Sequence, residues 1–261
     1  MKNKYFVFVV IALCLLVAFG IYEFYFGMPS NFLDPEIRHQ PKPGNLFGTV
    51  YTGGPLVAIL LSLTFMVVTF IIERIISLQR ARGRGPIERF IKRVTDHMIN
   101  DNIEAAVDEC NKQRGSAASI LRAGLEQYQF VRTKPDLNSE QRLAEVKRAI
   151  DEATGLETPL LEKNLVVLST IASIATMIGL LGTTIGMIRA FAALAESGGA
   201  ASAVQLSIGI SEALINTAGG LIGAILAIVA YNFFTNKVDN FVYMIEEATL
   251  SMMEILGVKE K

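Results

Sequence analysis

Two apolar runs, residues 164–188 and 213–236, set the pattern that the rest of the chain follows. Each is free of Asp, Glu, Lys and Arg, and only a short stretch separates them. About 20 apolar residues at a rise of 1.5 Å cross the hydrocarbon core of a bilayer, so both runs are long enough to be membrane helices. Residues 5–22 and 51–72 are also charge-free. The pattern predicts an all-α chain with four membrane spans.

Polar residues inside the runs fall at regular positions. Ser169, Thr176 and Thr183 recur every seven residues and share one helical face, while Gly182 and Gly186 form a small-xxx-small pair that admits a close neighbour. Gly219 and Gly223 repeat that spacing, and Gln205, Glu212 and Asn216 form a polar stripe beside Thr217. Glu212 is the only charge between Ser197 and Asn236. A carboxylate at that depth is costly unless it faces protein, water or a partner, which makes it a candidate on an ion path. The structural alternative is an interfacial carboxylate or one paired with a neighbouring subunit. The threonines carry an alternative too, because a membrane Thr commonly bonds its own i−4 carbonyl, and Asn216 could simply join helices. With Phe191 and Gln205 as the outer helix ends, Thr183, Thr217 and Glu212 lie about 12, 18 and 10 Å in, from the helical rise.

The remaining segments follow in order. Residues 1–26 read as a membrane anchor; a cleaved signal peptide is the competing reading, because Ala18-Phe19-Gly20 resembles a small-x-small cleavage site. Residues 27–52, with Pro29, Pro35, Pro41, Pro43 and Gly44, read as an outer loop. Residues 53–77 form a second span with few polar positions (Ser62, Thr64, Thr69) and a structural role. Over 78–163 the period becomes that of amphipathic helices, with stripes at Ile87, Phe90, Ile91, Val94 and Met98, at Ile120, Leu121, Leu125 and Tyr128, and at Leu143, Val146, Ile150 and Ala153. Ser139 is the expected N-cap of the last of these helices, and Pro159 the expected kink or break before the span 164–191. A turn over 192–204, with Ser197-Gly198-Gly199, precedes the final span 205–234. The tail, 235–261, keeps a stripe at Val238, Phe241, Val242, Ile245, Met252 and Leu256, which needs an apolar partner on the same or a neighbouring subunit.

Composition agrees with a zoned membrane protein: 51% of residues are apolar and 19% charged. The net charge of −1 offers no basic excess for nucleic acid. Charge is sorted by side instead. With the N-terminus inside, Lys2, Lys4, Arg74, the fifteen Lys and Arg from Arg80 to Lys163, and Lys237, Lys259 and Lys261 are cytoplasmic. Arg38 and Lys42 are outside, and Arg189 stands at a helix end. This fits the positive-inside rule and puts both termini in the cytoplasm. Cys14 and Cys110 then lie in different zones, so no disulfide is expected. No enzyme is indicated and no cofactor or metal is called for. His39 and His97 fall on opposite sides of the membrane, and Arg82-Gly83-Arg84-Gly85 lacks the Gly-Lys-Ser/Thr of a phosphate loop and reads as a solvated juxtamembrane linker.

Several longer motifs resemble a known family. Leu161-Glu162-Lys163-Asn164-Leu165, Ile178-Gly179-Leu180-Leu181-Gly182-Thr183, Gly186-Met187-Ile188 and Phe191 resemble the signature of ExbB and TolQ, relatives of the flagellar stator protein MotA. Gly209-Ile210-Ser211-Glu212-Ala213-Leu214, Thr217-Ala218, Gly220-Leu221 and Ala230-Tyr231-Asn232 are similar to the last membrane helix of that family. Gly54-Pro55 and Glu73-Arg74 extend the resemblance to the second span. Two features depart from it: Thr176 stands where the family usually has proline, and the first span is extra to its three-helix pattern.

The resemblance, closest to ExbB, implies a proton-channel subunit of a bacterial inner-membrane motor. Five copies would surround two ExbD-like single-span partner helices, each carrying a membrane aspartate, and the motor would act on a TonB-like periplasm-spanning protein. A TolQ-like envelope-integrity motor, a gliding motor and a passive scaffold are the alternatives. Thr183 and Thr217 match the family's pore threonines and Glu212 its membrane glutamate, with Thr176 and Asn216 beside them on the expected path.

Overall fold

The computed structural model describes residues 6–34, 40–196 and 200–260. The charges Lys2, Lys4, Arg38 and Lys261, the residues Pro35 and His39, and the turn residues Ser197, Gly198 and Gly199 lie outside the described residues. The helices are α1 (Phe6–Ile21), α2 (Leu46–Tyr51), α3 (Pro55–Arg82), α4 (Ile87–Ile99), α5 (Ile103–Gln113), α6 (Ser116–Arg132), α7 (Ser139–Glu162), α8 (Leu165–Glu196) and α9 (Ala200–Lys259). Among the described residues the only extended pairing is an isolated bridge between Phe32 and Pro41. The chain is all-α, and four of its helical stretches are long and apolar enough to cross a membrane.

The residues divide into two compact units, Met1–Ile72 with Asn164–Asn232, and Glu73–Lys163 with Phe233–Lys261. In the first unit α1 buries one stripe, Val10, Cys14, Ala18 and Tyr22, at the four-residue spacing of a helix face. That stripe lies against α3: the Cys14 thiol is 4.0 Å from the Thr69 hydroxyl, and Tyr22 packs with Val57 and Ala58. A π-helical turn, Tyr22–Phe26, extends α1. The Tyr22 ring stacks on Tyr51 with centroids 4.6 Å apart, and its hydroxyl donates to the Tyr51 carbonyl at 3.1 Å.

Residues 27–52 are more ordered than the loop expected there. Asn45 caps α2 by accepting from the Gly48 N–H at 3.1 Å, a cap that the surrounding prolines obscure in the sequence. The hydroxyls of Ser62, Thr64 and Thr69 all donate to carbonyls of their own helix α3. Helix also invades the expected turn 192–204, with α8 continuing to Glu196 and α9 resuming at Ala200.

In the second unit α4, α5, α6, α7 and the end of α9 bury their apolar stripes together. Phe90, Val94, Leu125, Val146, Val238, Met252 and Leu256 are all buried. A side chain on Gly124 would strike Met252 and Ile150, so this glycine sets how closely α6, α7 and α9 approach. The tail stripe therefore finds its apolar partner within its own chain. Cys14 and Cys110 are buried thiols in separate units.

Three local expectations change here. The N-cap of α7 is Asn138, not Ser139: Asn138 accepts from the Gln141 N–H at 2.7 Å and the Gln141 side chain accepts from the Asn138 N–H at 3.1 Å, a reciprocal capping box. Ser139 instead donates to the Glu260 carbonyl at 2.9 Å. Pro159 does not break the helix. α7 runs through it to Glu162, and the break falls at Lys163 and Asn164, where Asn164 takes a left-handed φ of 65° that asparagine tolerates. Arg74, fully buried, donates to the Leu161 carbonyl at 3.1 Å and satisfies an acceptor that the ending helix leaves open. The Arg-Gly-Arg-Gly segment is not simply solvated, because Gly83 packs on the Arg114 backbone and the Arg84 N–H donates to the Gln113 carbonyl at 2.7 Å.

Candidate functional site

α8 and α9 are joined along a seam of small residues. A Cβ on Gly220 would sit 2.8 Å from the Gly179 Cα, and one on Gly186 would sit 2.8 Å from the Gly209 carbonyl oxygen and 2.9 Å from the Ala213 Cβ. Gly182 lies directly against Asn216, whose side chain fills the space that a side chain on Gly182 would need. Gly219 and Gly223 turn to α3 instead, facing Leu60 and Thr64. Glycine positions at this spacing let backbones touch, which is how helices associate where the hydrophobic effect supplies no drive.

The polar residues gather at one level of this seam. Glu212 is buried and forms an ion pair with Arg189 of α8, whose side chain is 59% exposed. Gly54, with a left-handed φ of 77°, stands just before the first turn of α3. A Cβ there would lie 2.9 Å from the Glu212 carboxylate. The position needs glycine both for its conformation and for access of the carboxylate to the positive end of the α3 dipole. Asn216 is fully buried, and its amide donates to the Gly53 carbonyl at 2.7 Å and to the Glu212 carbonyl at 3.0 Å. Its own side-chain oxygen has no hydrogen-bond partner. One asparagine thus ties the start of α3 to α9 while filling the notch at Gly182.

The threonines lie on adjacent turns of the same hairpin. Thr217 follows Asn216, and its hydroxyl is 3.3 Å from the Ala213 carbonyl of α9 and 3.4 Å from the Gly179 carbonyl of α8. Thr183 follows Gly182, is half-buried, and donates to the Leu180 carbonyl at 2.6 Å. Thr176, half-buried two turns earlier on α8, donates to the Ala172 carbonyl at 3.0 Å. Each hydroxyl therefore spends its proton on backbone and keeps an acceptor lone pair free, which suits it to accept from water or from an entering group.

A cavity of about 440 Å³ opens beside the ion pair, and Tyr22, Glu23, Tyr51, Arg189, Gln205 and Glu212 contribute to its wall. It carries charge of both signs and reaches the extra first helix through Tyr22. Among the described residues no three His, Cys, Asp or Glu side chains converge as a metal-binding set.

Sequence reasoning missed Arg189 as the partner of Glu212. The signal was present, since Arg189 directly follows the first charge-free run and Glu212 directly precedes the second, which puts both at the same end of the hairpin. The seam residues Gly179, Gly209 and Gly220 were also unassigned, although Gly179, Gly182 and Gly186 continue one spacing pattern along a single face.

Residues 112–247 match the MotA/TolQ/ExbB proton channel family. Among individual proteins, the Tol-Pal system protein TolQ of Pseudomonas aeruginosa is 37% identical over 118 residues, 45% of this chain and 51% of that protein. The biopolymer transport protein ExbB of Pseudomonas putida is 28% identical over 68% of this chain and 51% of its own length. A putative biopolymer transport protein ExbB homolog of Methanothermobacter thermautotrophicus is 30% identical over 219 residues, 82% of this chain and 71% of that protein. The chain spans about half the length of the two Pseudomonas relatives.

Proposed function

The chain belongs to the MotA/TolQ/ExbB proton channel family, and on that premise we propose that it is the channel subunit of an inner-membrane motor of the ExbB–ExbD type, coupling the proton-motive force to TonB-dependent transport across the outer membrane. In this reading copies of the chain assemble into a pentamer around two ExbD-like single-span helices, with both termini cytoplasmic. Water molecules held by the acceptor lone pairs of Thr183 and Thr217 carry protons to the partner's membrane aspartate, with Thr176 extending the polar face. Glu212, paired with Arg189, fixes charge beside this path, and Asn216 holds the three helix segments in register.

One observation carries the reading. Glu212, Asn216 and Thr217 on α9 and Thr183 on α8 collect on adjacent turns of a helix hairpin whose backbones are in contact. Buried polar groups within membrane helices are expensive and mark ion or proton routes. The test is replacement of Thr183 or Thr217 by Val, which keeps shape and removes the hydroxyl. Energy-dependent siderophore uptake is lost while the complex still assembles; normal uptake in both variants overturns the proposal.

A TolQ-like role in envelope integrity is the second reading, favoured by the 37% identity to the Pseudomonas aeruginosa TolQ. Deletion of the gene separates the two, giving an uptake defect in the first case and detergent sensitivity in the second. A passive scaffold is the third, favoured by the hydroxyls that bond their own helices. It predicts that both threonine variants behave as wild type.

A further inference from the structure

We infer that the groove within the second unit between the last turns of α3 and the middle turns of α9, from Phe233 to Met244, binds an anionic phospholipid. The groove holds about 290 Å³. Its floor is apolar and closed, with Phe234 and Phe241 buried, and its walls are apolar and open, with Ile75 43% and Phe233 53% exposed. Arg82 and Lys237 stand at its rim. Neither takes part in an ion pair among the described residues. The Lys237 ammonium instead rests over the Phe233 ring, 4.7 Å from its centroid.

Position along the chain selects the ligand. The charge-free stretch of α9 ends at Asn236 with Lys237 next, and that of α3 ends at Ile72, where Glu73 and Arg74 pair with each other before the exposed cations Arg80 and Arg82. Lys237 thus stands where α9 leaves the hydrocarbon, at the level of lipid phosphates, Arg82 lines the same groove further from the hydrocarbon, and the apolar walls face the acyl side. A free inorganic phosphate would make no use of Ile75, Leu78, Phe234 and Phe241. A zwitterionic lipid would bring a positive group to an already cationic rim. A phosphodiester with acyl chains uses both parts. The inference rests on α3 and α9 crossing a bilayer and on nothing else in the channel reading.

The test is native mass spectrometry of the full-length protein, delipidated in detergent and mixed with dioleoyl phosphatidylglycerol, dioleoyl phosphatidylcholine or inorganic phosphate. Wild type retains phosphatidylglycerol in preference to phosphatidylcholine, and millimolar phosphate does not displace it. Arg82→Gln with Lys237→Gln lowers that retention by about thirtyfold, since each basic residue near an anionic lipid surface contributes about one tenfold step or slightly less. Ile75→Trp fills the groove without changing charge and lowers retention of both lipids, which separates loss of the site from loss of charge. Thermal unfolding in detergent checks that each variant is folded. Equal retention of the two lipids by wild type, unchanged preference in the double variant, or displacement by phosphate overturns the inference. So does a smaller oligomer for the double variant than for wild type in lipid-free detergent, which makes the groove a contact between copies. Proton flux plays no part in this readout, so the lipid site and the channel reading fail separately.

Discussion

Asn216 occupies the space that Gly182 vacates by having no side chain, so the two residues form one fitted joint between α8 and α9. A methyl group on Gly182 collides with the Asn216 side chain at a position where neither backbone can retreat. Gly182→Ala therefore destabilises the protein by about 2 kcal/mol, the usual cost of overpacking a close-packed site. Thermal unfolding in detergent reads this directly. Gly155→Ala is the internal control: open space surrounds Gly155 in α7, so alanine there stabilises by about 0.5–1 kcal/mol through helix propensity.

Arg74 is 1% exposed and forms paired hydrogen bonds with Glu73, both 2.9 Å, besides its bond to the Leu161 carbonyl. Arg74→Met strands the carboxylate and an acceptor at the end of α7, costing about 3 kcal/mol. Arg74→Lys recovers little of this, because an ammonium cannot serve a bidentate carboxylate and a carbonyl together. Arg80→Met, at an exposed position on the same helix, leaves the unfolding midpoint unchanged.

The Glu212–Arg189 pair lends itself to a double-mutant cycle. Glu212→Gln and Arg189→Gln each lower the unfolding midpoint, and the double variant loses less than the sum of the two. Because Arg189 is 59% exposed, solvent screening holds the coupling to about 1 kcal/mol. Additive losses would mean that the pair contributes no coupling.

The second unit responds to acid through Asp101 and Glu109. Hydrogen bonds from Lys259 and then Arg132 hold the Asp101 carboxyl below its ordinary range, and Lys112 and Arg93 do the same for Glu109. For carboxyls lowered in the folded state the sign is fixed. Their stabilisation is complete above the unfolded-state pKa and disappears as pH falls through the folded value. The unfolding midpoint is therefore flat from neutrality down to the normal carboxylate range and drops below it. Asp101→Asn with Glu109→Gln flattens that acid limb, whereas an unchanged acid limb would place the sensitivity elsewhere.

Cys110 is 2% exposed, and burial pushes its thiol up to about 12. It stays unlabelled by maleimide at pH 8 in the folded protein and reacts on denaturation. Labelling in the native state at the rate of a free thiol would show that α5 and α6 open readily.

Much of this architecture is visible in the chain itself. The absence of charge over long runs marks the membrane-length helices, since a 20-residue window needs no knowledge of its neighbours. The stripes Ile87-Phe90-Val94-Met98 and Val238-Phe241-Ile245-Met252 are buried because a 3.6-residue period fixes a face before any partner is known. Less legible were features set by the register between helices. Glu212 meets Arg189 only once the hairpin has fixed how far α8 slides along α9. The break at Asn164 rather than at Pro159 depends on Arg74, 87 residues from its acceptor Leu161, being present to receive the end of α7. Asn45 as a cap and Gly83 as a packing residue are likewise choices made by tertiary neighbours. The hydroxyls of Thr183 and Thr217 are plain in the sequence, but their bonding to local carbonyls needs coordinates.

At Gly179 and Gly220 the two long helices meet backbone to backbone, with no layer of flexible side chains to absorb shear. Sliding one past the other has no small increment available: interlocked ridges allow only a jump of a whole turn, about 5.4 Å. The hairpin must therefore travel as one rigid piece. Any rearrangement of this hairpin against its surroundings therefore falls on its outward faces and not on the seam.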